Sequence, residues 1–218
     1  MSRPLLIGLA GGIGAGKSAV AEAFARAGAW VSNSDAEARA ALASPAVRDT
    51  VVSWWGPGVL GTDGLPDRQK IAGVVFGDPE QRRRLEGLLH PMVHQARAEM
   101  VRRASAQGVA AVIVDAPLLF EAGVDADCDA VVFVDVPREQ RLARVLASRG
   151  WTEEEFDRRE RAQLPVEEKR RRSDYVLHNS GDRAEMAAAA AELLERITRD
   201  AQSADSQRLG SRRNKEDA

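Results

Sequence analysis

An α/β fold, a parallel sheet of five strands with flanking helices, is predicted from three observations. Short apolar runs alternate with longer charged segments of helical period, the pattern of a parallel sheet wrapped by helices. The first apolar run, Leu5-Leu6-Ile7-Gly8-Leu9-Ala10, leads directly into a glycine-rich loop and then into a strong helix former. The composition, with 44% hydrophobic and 29% charged residues over 218 positions, is that of a folded globular chain and not of a disordered one.

The strands are placed, in order, at 5–10, 29–33, 109–115, 130–136 and 175–178. Helices are expected at 17–27, 66–76, 91–107, 138–148, 152–163 and 183–199. The gap between the second and third strands is far too long for one crossover helix, so it must hold an insertion. One domain over 1–200 follows: a core of 1–34, 108–137 and 173–200, an insertion at about 35–107 and a helical excursion, or lid, at about 138–172. Residues 201–218 are polar and lack apolar periodicity, so a frayed or disordered tail is expected there.

Composition also narrows the function. The net charge of −2 conceals a basic lid, where 138–172 carries 11 Lys/Arg against 8 Asp/Glu. A local basic segment on an acidic body suits phosphate handling and not nucleic-acid binding, which usually shows a basic domain throughout. Cys128 is the one cysteine, so neither an internal disulfide nor a thiolate zinc cluster can form, and a reducing compartment is expected. The apolar run at the N-terminus is too short for a signal peptide, and no stretch approaches the roughly 18 apolar residues of a bilayer span. The expectation is a cytoplasmic protein with no membrane or nucleic-acid partner, a monomer or weak oligomer.

Gly11-Gly12-Ile13-Gly14-Ala15-Gly16-Lys17-Ser18 satisfies the phosphate-binding P-loop pattern, with a strand before it and a helix after it. Glycines are needed because successive backbone N–H groups must converge on phosphate oxygens, at angles and distances a Cβ obstructs. The start of the following helix adds unpaired N–H groups and partial positive charge. Lys17 is assigned to the β- and γ-phosphates of ATP and the Ser18 hydroxyl to Mg²⁺. The nucleotide-binding set is Gly12, Ile13, Gly14, Ala15, Gly16, Lys17, Ser18 and Ala19.

Asp35 follows the second strand and Asp115 ends the third, both at the carboxyl edge where open α/β sheets bind ligands. Asp35 is the candidate to accept a proton from an attacking hydroxyl, and Asp115 to hold the metal through its waters.

Several longer elements resemble those of one family, the dephospho-CoA kinases. Asp115-Ala116-Pro117-Leu118-Leu119-Phe120-Glu121 is similar to its D-x-P-L-L-[FY]-E element. Phe76-Gly77-Asp78-Pro79-Glu80 and Leu85-Glu86-Gly87-Leu88-Leu89-His90-Pro91 resemble its F-x-[DN]-P-E and L-x-x-[IL]-[IL]-H-P stretches. Gln163-Leu164-Pro165-Val166-Glu167-Glu168-Lys169, Asp174-Tyr175-Val176-Leu177 and Asn179-Ser180-Gly181 match later elements in order, so the likeness covers residues 5 to about 181. It implies a P-loop NTPase fold with an acceptor-binding insertion and a lid. The implied reaction is transfer of the ATP γ-phosphate to the ribose 3′-hydroxyl of dephospho-CoA. By the same resemblance Asp35, Lys17 and Arg144 are catalytic. Asp35, His90, Asp115, Leu118 and Arg149 contact the acceptor or the transferred phosphate, and Asn179 and Gly181 approach the adenine.

The chain departs from that pattern at Asn33-Ser34-Asp35, where the family has D-x-D, and at Ala19, where a threonine is common. Arg141 stands at a usual glutamine and Ser148-Arg149-Gly150 at a usual R-D-G, which loosens the lid register by a residue. Two readings compete: a nucleoside or nucleoside monophosphate kinase on the same core, and a nucleotide-dependent switch without transfer activity. His90 and His94 share a helix face, but Pro91 lies where a metalloprotease motif needs glutamate, so a role at a helix N-terminus or in substrate contact is expected for them. Asn214-Lys215-Glu216-Asp217 imitates a guanine-reading motif but follows no core strand.

Overall fold

The unbroken apolar run Leu-Leu-Ile-Gly-Leu-Ala-Gly forms the central strand, β1 (Leu5–Gly11), in a computed structural model that describes residues 3–216, with side chains to residue 204. Beside it run β3 (Ala111–Asp115) and β4 (Ala130–Asp135), both parallel, with Leu5 opposite Ala111 and Ile7 opposite Ala130. β5 (Tyr175–His178) pairs parallel to β4, and β2 (Trp30–Asn33) lies at the other edge, giving the order β2-β3-β1-β4-β5. Every residue of β3 is buried. Strands covered on both faces have no polar side, which is why they read as apolar runs and not as alternating ones.

Side chains leave β1 alternately to two separate cores. Ile7 and Leu9 join Ile113 and Val132 against Val20 and Phe24 of α1 (Lys17–Arg26) and Met186, Ala190 and Ile197 of α9 (Arg183–Glu216). Ala10 faces the opposite way, packing with Val114, Leu119, Phe120 and Phe133, against which Leu164 and Val166 also lie. Three helices fill the stretch between β4 and β5: α6 (Arg138–Arg149), α7 (Glu153–Arg161) and α8 (Val166–Arg171).

The chain divides into two compact units, Met1–Ser32 with Val101–Ala218, and Asn33–Met100, where the sequence puts an insertion at about 35–107. The second unit is helical, with α2 (Ser34–Leu42), α3 (Pro45–Trp55), α4 (Arg68–Phe76) and most of α5 (Pro79–Ala106) around Leu42, Val47, Val51, Val59 and Ile71. Its helices start where side chains can accept from their first N–H groups: Asn33 from Ala36, Ser44 from Val47, Asp67 from Gln69 and Lys70, and Asp78 from Glu80 and Gln81.

Four helical expectations need correction. The helix expected to begin at Pro91 begins at Pro79, and Pro91 lies inside it. Asp78 and Pro79 together are a complete start signal. The internal proline, a penalty of ~3 kcal/mol, is opposed by Leu85, Leu88, Leu89 and Met92 packing on the helical core. Helices α2 and α3 lie where the sequence predicts no element, because nine and eleven residues rich in alanine or in β-branched side chains give a weak periodic signal. The six residues of α8 are too few to show a period at all. Finally, α9 continues through the expected tail to Glu216; side chains beyond residue 204, and with them the Asn214 to Asp217 match, lie outside the described residues. No helix of the described residues is long and apolar enough to cross a membrane.

Candidate active site

The glycine loop bridges the end of β1 at Gly11 and the start of α1 at Lys17. Gly14 and Gly16 have φ of 79° and 80°, the left-handed region that side chains rarely adopt. Space is equally restrictive. A Cβ on Gly14 would sit 2.5 Å from the Arg141 carbonyl oxygen, and one on Gly16 would sit 2.7 Å from Asn179 Nδ2. The loop is thus gripped from α6 and from the segment after β5. Helix α1 carries no side-chain cap and no acidic residue in its first turn, so its leading N–H groups remain available to an anion.

Lys17 is half-buried. Its ammonium pKa is pulled down, first by desolvation, with the Asp115 carboxylate opposing and the positive charges of Lys169 and Arg149 adding to the fall; Glu121 opposes more weakly. An ammonium crowded by like charge gains most from an arriving polyanion. Beside it the Ser18 hydroxyl lies 3.4 Å from Asp115 Oδ2, and Asp115, at the end of β3, is 6% exposed. A hydroxyl and a carboxylate are hard oxygen ligands. Mg²⁺ typically takes one or two of these from protein and completes its shell with water and phosphate, so the pair fits that ion.

A set of supports surrounds the loop. Asn179, buried just after β5, donates from Nδ2 to the Ala15 carbonyl at 2.8 Å, and its own carbonyl accepts from Arg144 Nη2 at 2.7 Å. Arg141, on the buried side of α6, donates to the Val136 and Ile13 carbonyls, each at 3.2 Å, and forms an ion pair with Glu160 of α7. Lys169, 3% exposed, lies 2.9 Å from Glu121 Oε1 and donates to Gln163 Oε1 at 2.8 Å. Burial would raise the Glu121 carboxyl pKa, but hydrogen bonds from Lys169, its own N–H and the Leu164 N–H, with the Lys169 charge, hold it below the usual carboxylate range.

Of the residues singled out from sequence, the loop, Lys17, Ser18, Ala19, Asp115, Arg144 and Asn179 come together in this unit. Arg149 is exposed, its guanidinium 5.0 Å from the Trp151 ring centre, with Arg159 at 4.3 Å from the same centre. Leu118, in the turn after β3, is 43% exposed, an unusual position for a large apolar side chain so close to Asp115. Gly181 is exposed, and a Cβ there would meet Glu185 Oε2. Asp35 and His90 belong to the helical unit. Asp35 is exposed in the first turn of α2, and it is Asn33, standing where an aspartate was expected, that caps this helix. Asparagine and aspartate cap about equally well, so the local structure survives the exchange. His90 and His94 are exposed within α5, and neither is at a helix N-terminus as expected, because the helix starts at Pro79.

Sequence reasoning marks Arg141 only as a departure from the family pattern and misses its contacts with the loop and Glu160, as well as the Lys169–Glu121 bridge. One signal is present in the sequence: Arg141 stands four residues before Val145, on one face of the expected helix; the structure buries both, where an arginine needs partners.

A glycine loop from strand to helix with left-handed Gly14 and Gly16, a lysine at the helix start, and a hydroxyl and a carboxylate placed for a hard cation define a P-loop nucleotide-binding protein. Sequence comparison narrows the class. A family model described as dephospho-CoA kinase matches residues 5–185. A dephospho-CoA kinase of Anaeromyxobacter dehalogenans is 42% identical over 191 residues, covering 87% of this chain and 90% of that one. One from Deinococcus radiodurans is 44% identical over 180 residues, covering 83% and 86%. The chain belongs to the dephospho-CoA kinase family. Among solved structures, a Thermus thermophilus protein superposes with a TM-score of 0.78 at 35% identity, covering 90% of this chain and 98% of that one. The dephospho-CoA kinase from Campylobacter jejuni shares the fold, with a TM-score of 0.67 at 21% identity over 89% of this chain and 97% of that one.

Proposed function

We propose that this chain transfers the γ-phosphoryl group of ATP to the ribose 3′-hydroxyl of dephospho-CoA, giving coenzyme A and ADP. The observation that carries the reading is an intact phosphate loop, with its Lys17 and its Ser18–Asp115 pair, inside a family match that spans residues 5–185. Phosphoryl transfer asks little covalent chemistry of the protein, so the residues act by positioning and by charge. The N–H groups of the Gly12 to Ala19 loop hold the phosphates, except that of Ala15, which donates to the Gly12 carbonyl, and Lys17 draws charge from the β–γ bridge. Ser18 and Asp115 would hold Mg²⁺, which when bound supplies charge neutralisation on the β- and γ-phosphates. Arg144, tied to the Asn179 carbonyl, presents its remaining N–H groups to the migrating group. Asp35 accepts the hydroxyl proton, while His90, Leu118 and Arg149 bind the acceptor. The Asn179 side chain is committed to Ala15, so any approach of this segment to adenine falls to its backbone and to Gly181. The protein works in the cytoplasm as a monomer or weak oligomer, without nucleic acid.

Steady-state turnover with ATP and Mg²⁺ tests the assignment against a panel of dephospho-CoA, nucleosides and nucleoside monophosphates. Dephospho-CoA should show the highest kcat/KM. Preferential phosphorylation of a nucleotide, or ATP hydrolysis with no acceptor modified, overturns it.

A further inference from the structure

We infer that Arg141 is a positioning residue that aims the phosphate loop, and that its Glu160 partner makes helix α7 part of the nucleotide-binding apparatus. The inference rests on the loop being a phosphate site.

The argument begins with the peptide unit. In a planar trans peptide the C=O and the following N–H point in opposite directions. Arg141 Nη1 donates to the Ile13 carbonyl at 3.2 Å, so the Gly14 N–H points away from the guanidinium. Asn179 Nδ2 donates to the Ala15 carbonyl at 2.8 Å, so the Gly16 N–H likewise points away from that amide. The Ala15 N–H between them is taken up by the Gly12 carbonyl at 3.1 Å. Two side chains from distant segments therefore set alternate peptides of one cradle.

The fit around Arg141 is close. A Cβ on Gly12 would come within 2.5 Å of Nη1, so the absent side chain of Gly12 is the slot that the guanidinium occupies. The side chain is 5% exposed and its guanidinium has only donors to offer, so each contact it makes is costly to remove. Its Nε is anchored on the Val136 carbonyl, between β4 and α6, and Nη1 also contacts Glu160. A glutamine at this position would have a single amide in place of this fork and could not serve Val136, Ile13 and an acidic partner together.

The test is ATP affinity of the full chain without acceptor, by isothermal titration calorimetry, together with KM and kcat in the complete reaction. Arg141→Met, which keeps the stem, should weaken ATP binding about tenfold and raise KM for ATP in parallel, with kcat changed less. Glu160→Gln should weaken binding roughly threefold, and the double variant should bind no worse than Arg141→Met alone, because the two act through one contact. The double variant also covers the case in which an unpartnered Glu160 unfolds the single one. Affinity within twofold of the parent in folded Arg141 variants, even with a lowered Tm, reduces Arg141 to a structural ion pair. Multiplying losses in the double variant would separate Glu160 from the loop. If the parent itself binds no ATP, the phosphate-loop reading falls first and the role of Arg141 with it.

Discussion

Replacing Lys169 by methionine removes a charge from the interior while keeping most of the stem volume, and the structure sets the scale of the response. The ammonium, 3% exposed, is held by Glu121 at 2.9 Å and Gln163 at 2.8 Å. Removing one partner of a buried pair typically costs 3–5 kcal/mol, because the remaining charge is left uncompensated. The Glu121 side chain is 19% exposed and keeps the Leu164 N–H, which brings the cost to the lower limit of that range or just under it, about 2–3 kcal/mol. For a chain of this size each kcal/mol moves Tm by roughly 2–4 °C, so a fall of about 5–10 °C is expected. The pH dependence carries a sign. In the parent, the Glu121 pKa is depressed, so its stabilisation is complete at neutral pH and is lost only as pH falls through that lowered value. Without Lys169, burial is the dominant influence and the Glu121 pKa rises, so the variant recovers stability as the carboxyl is protonated. The Tm gap measured by differential scanning fluorimetry should therefore be narrower at pH 5 than at pH 7.5, and Glu121→Leu combined with Lys169→Met should recover most of the loss. A single variant melting within 2 °C of the parent at both pH values, or a double variant no better than the single, refutes the reasoning.

Lys17→Met should abolish the rise in Tm that ATP produces while leaving the ligand-free protein as stable as the parent or slightly more so, since its pKa is lowered by desolvation and by Lys169 and Arg149; a clear drop in ligand-free Tm contradicts this. Asn179→Ala removes the donor to the Ala15 carbonyl and should raise KM for ATP about fivefold, with a stability loss near 1 kcal/mol measurable by urea titration. Asp35→Asn should leave ATP affinity within about twofold and lower kcat by at least a hundredfold, as loss of a general base does, so unchanged turnover would remove Asp35 from the chemistry.

What could be read in advance was local. The strand at 175–178 and the starts of α1 and α6 coincide with expectation because apolar runs, a glycine loop and a proline before a helix are signals carried by neighbouring residues. The phosphate loop is legible for the same reason: its ligands are mostly consecutive main-chain N–H groups. The misreadings arise where a local signal met a tertiary one. Pro91 looks like a helix start until the packing of Leu88, Leu89 and Met92 is known. The approach of Asn179 and Gly181 to the adenine is read from the resemblance alone, whereas the Asn179 amide's bond to the Ala15 carbonyl depends on how β5 ends beside the loop. Arg141 and Glu160 are 19 residues apart on different helices, and no spacing rule joins them.

This division has a physical consequence for the site. A sequence motif specifies which backbone groups face phosphate, but the cost of holding them there is met by side chains outside the motif, at positions where α6 and the end of β5 reach the loop. Gly14 and Gly16 are tolerant backbone, free to turn either way when unsupported. With Arg141 and Asn179 holding the neighbouring carbonyls, that freedom is removed before nucleotide arrives, so less ordering is charged against binding. Two chains with the same eight loop residues should therefore differ in ATP affinity according to what stands at these two support positions.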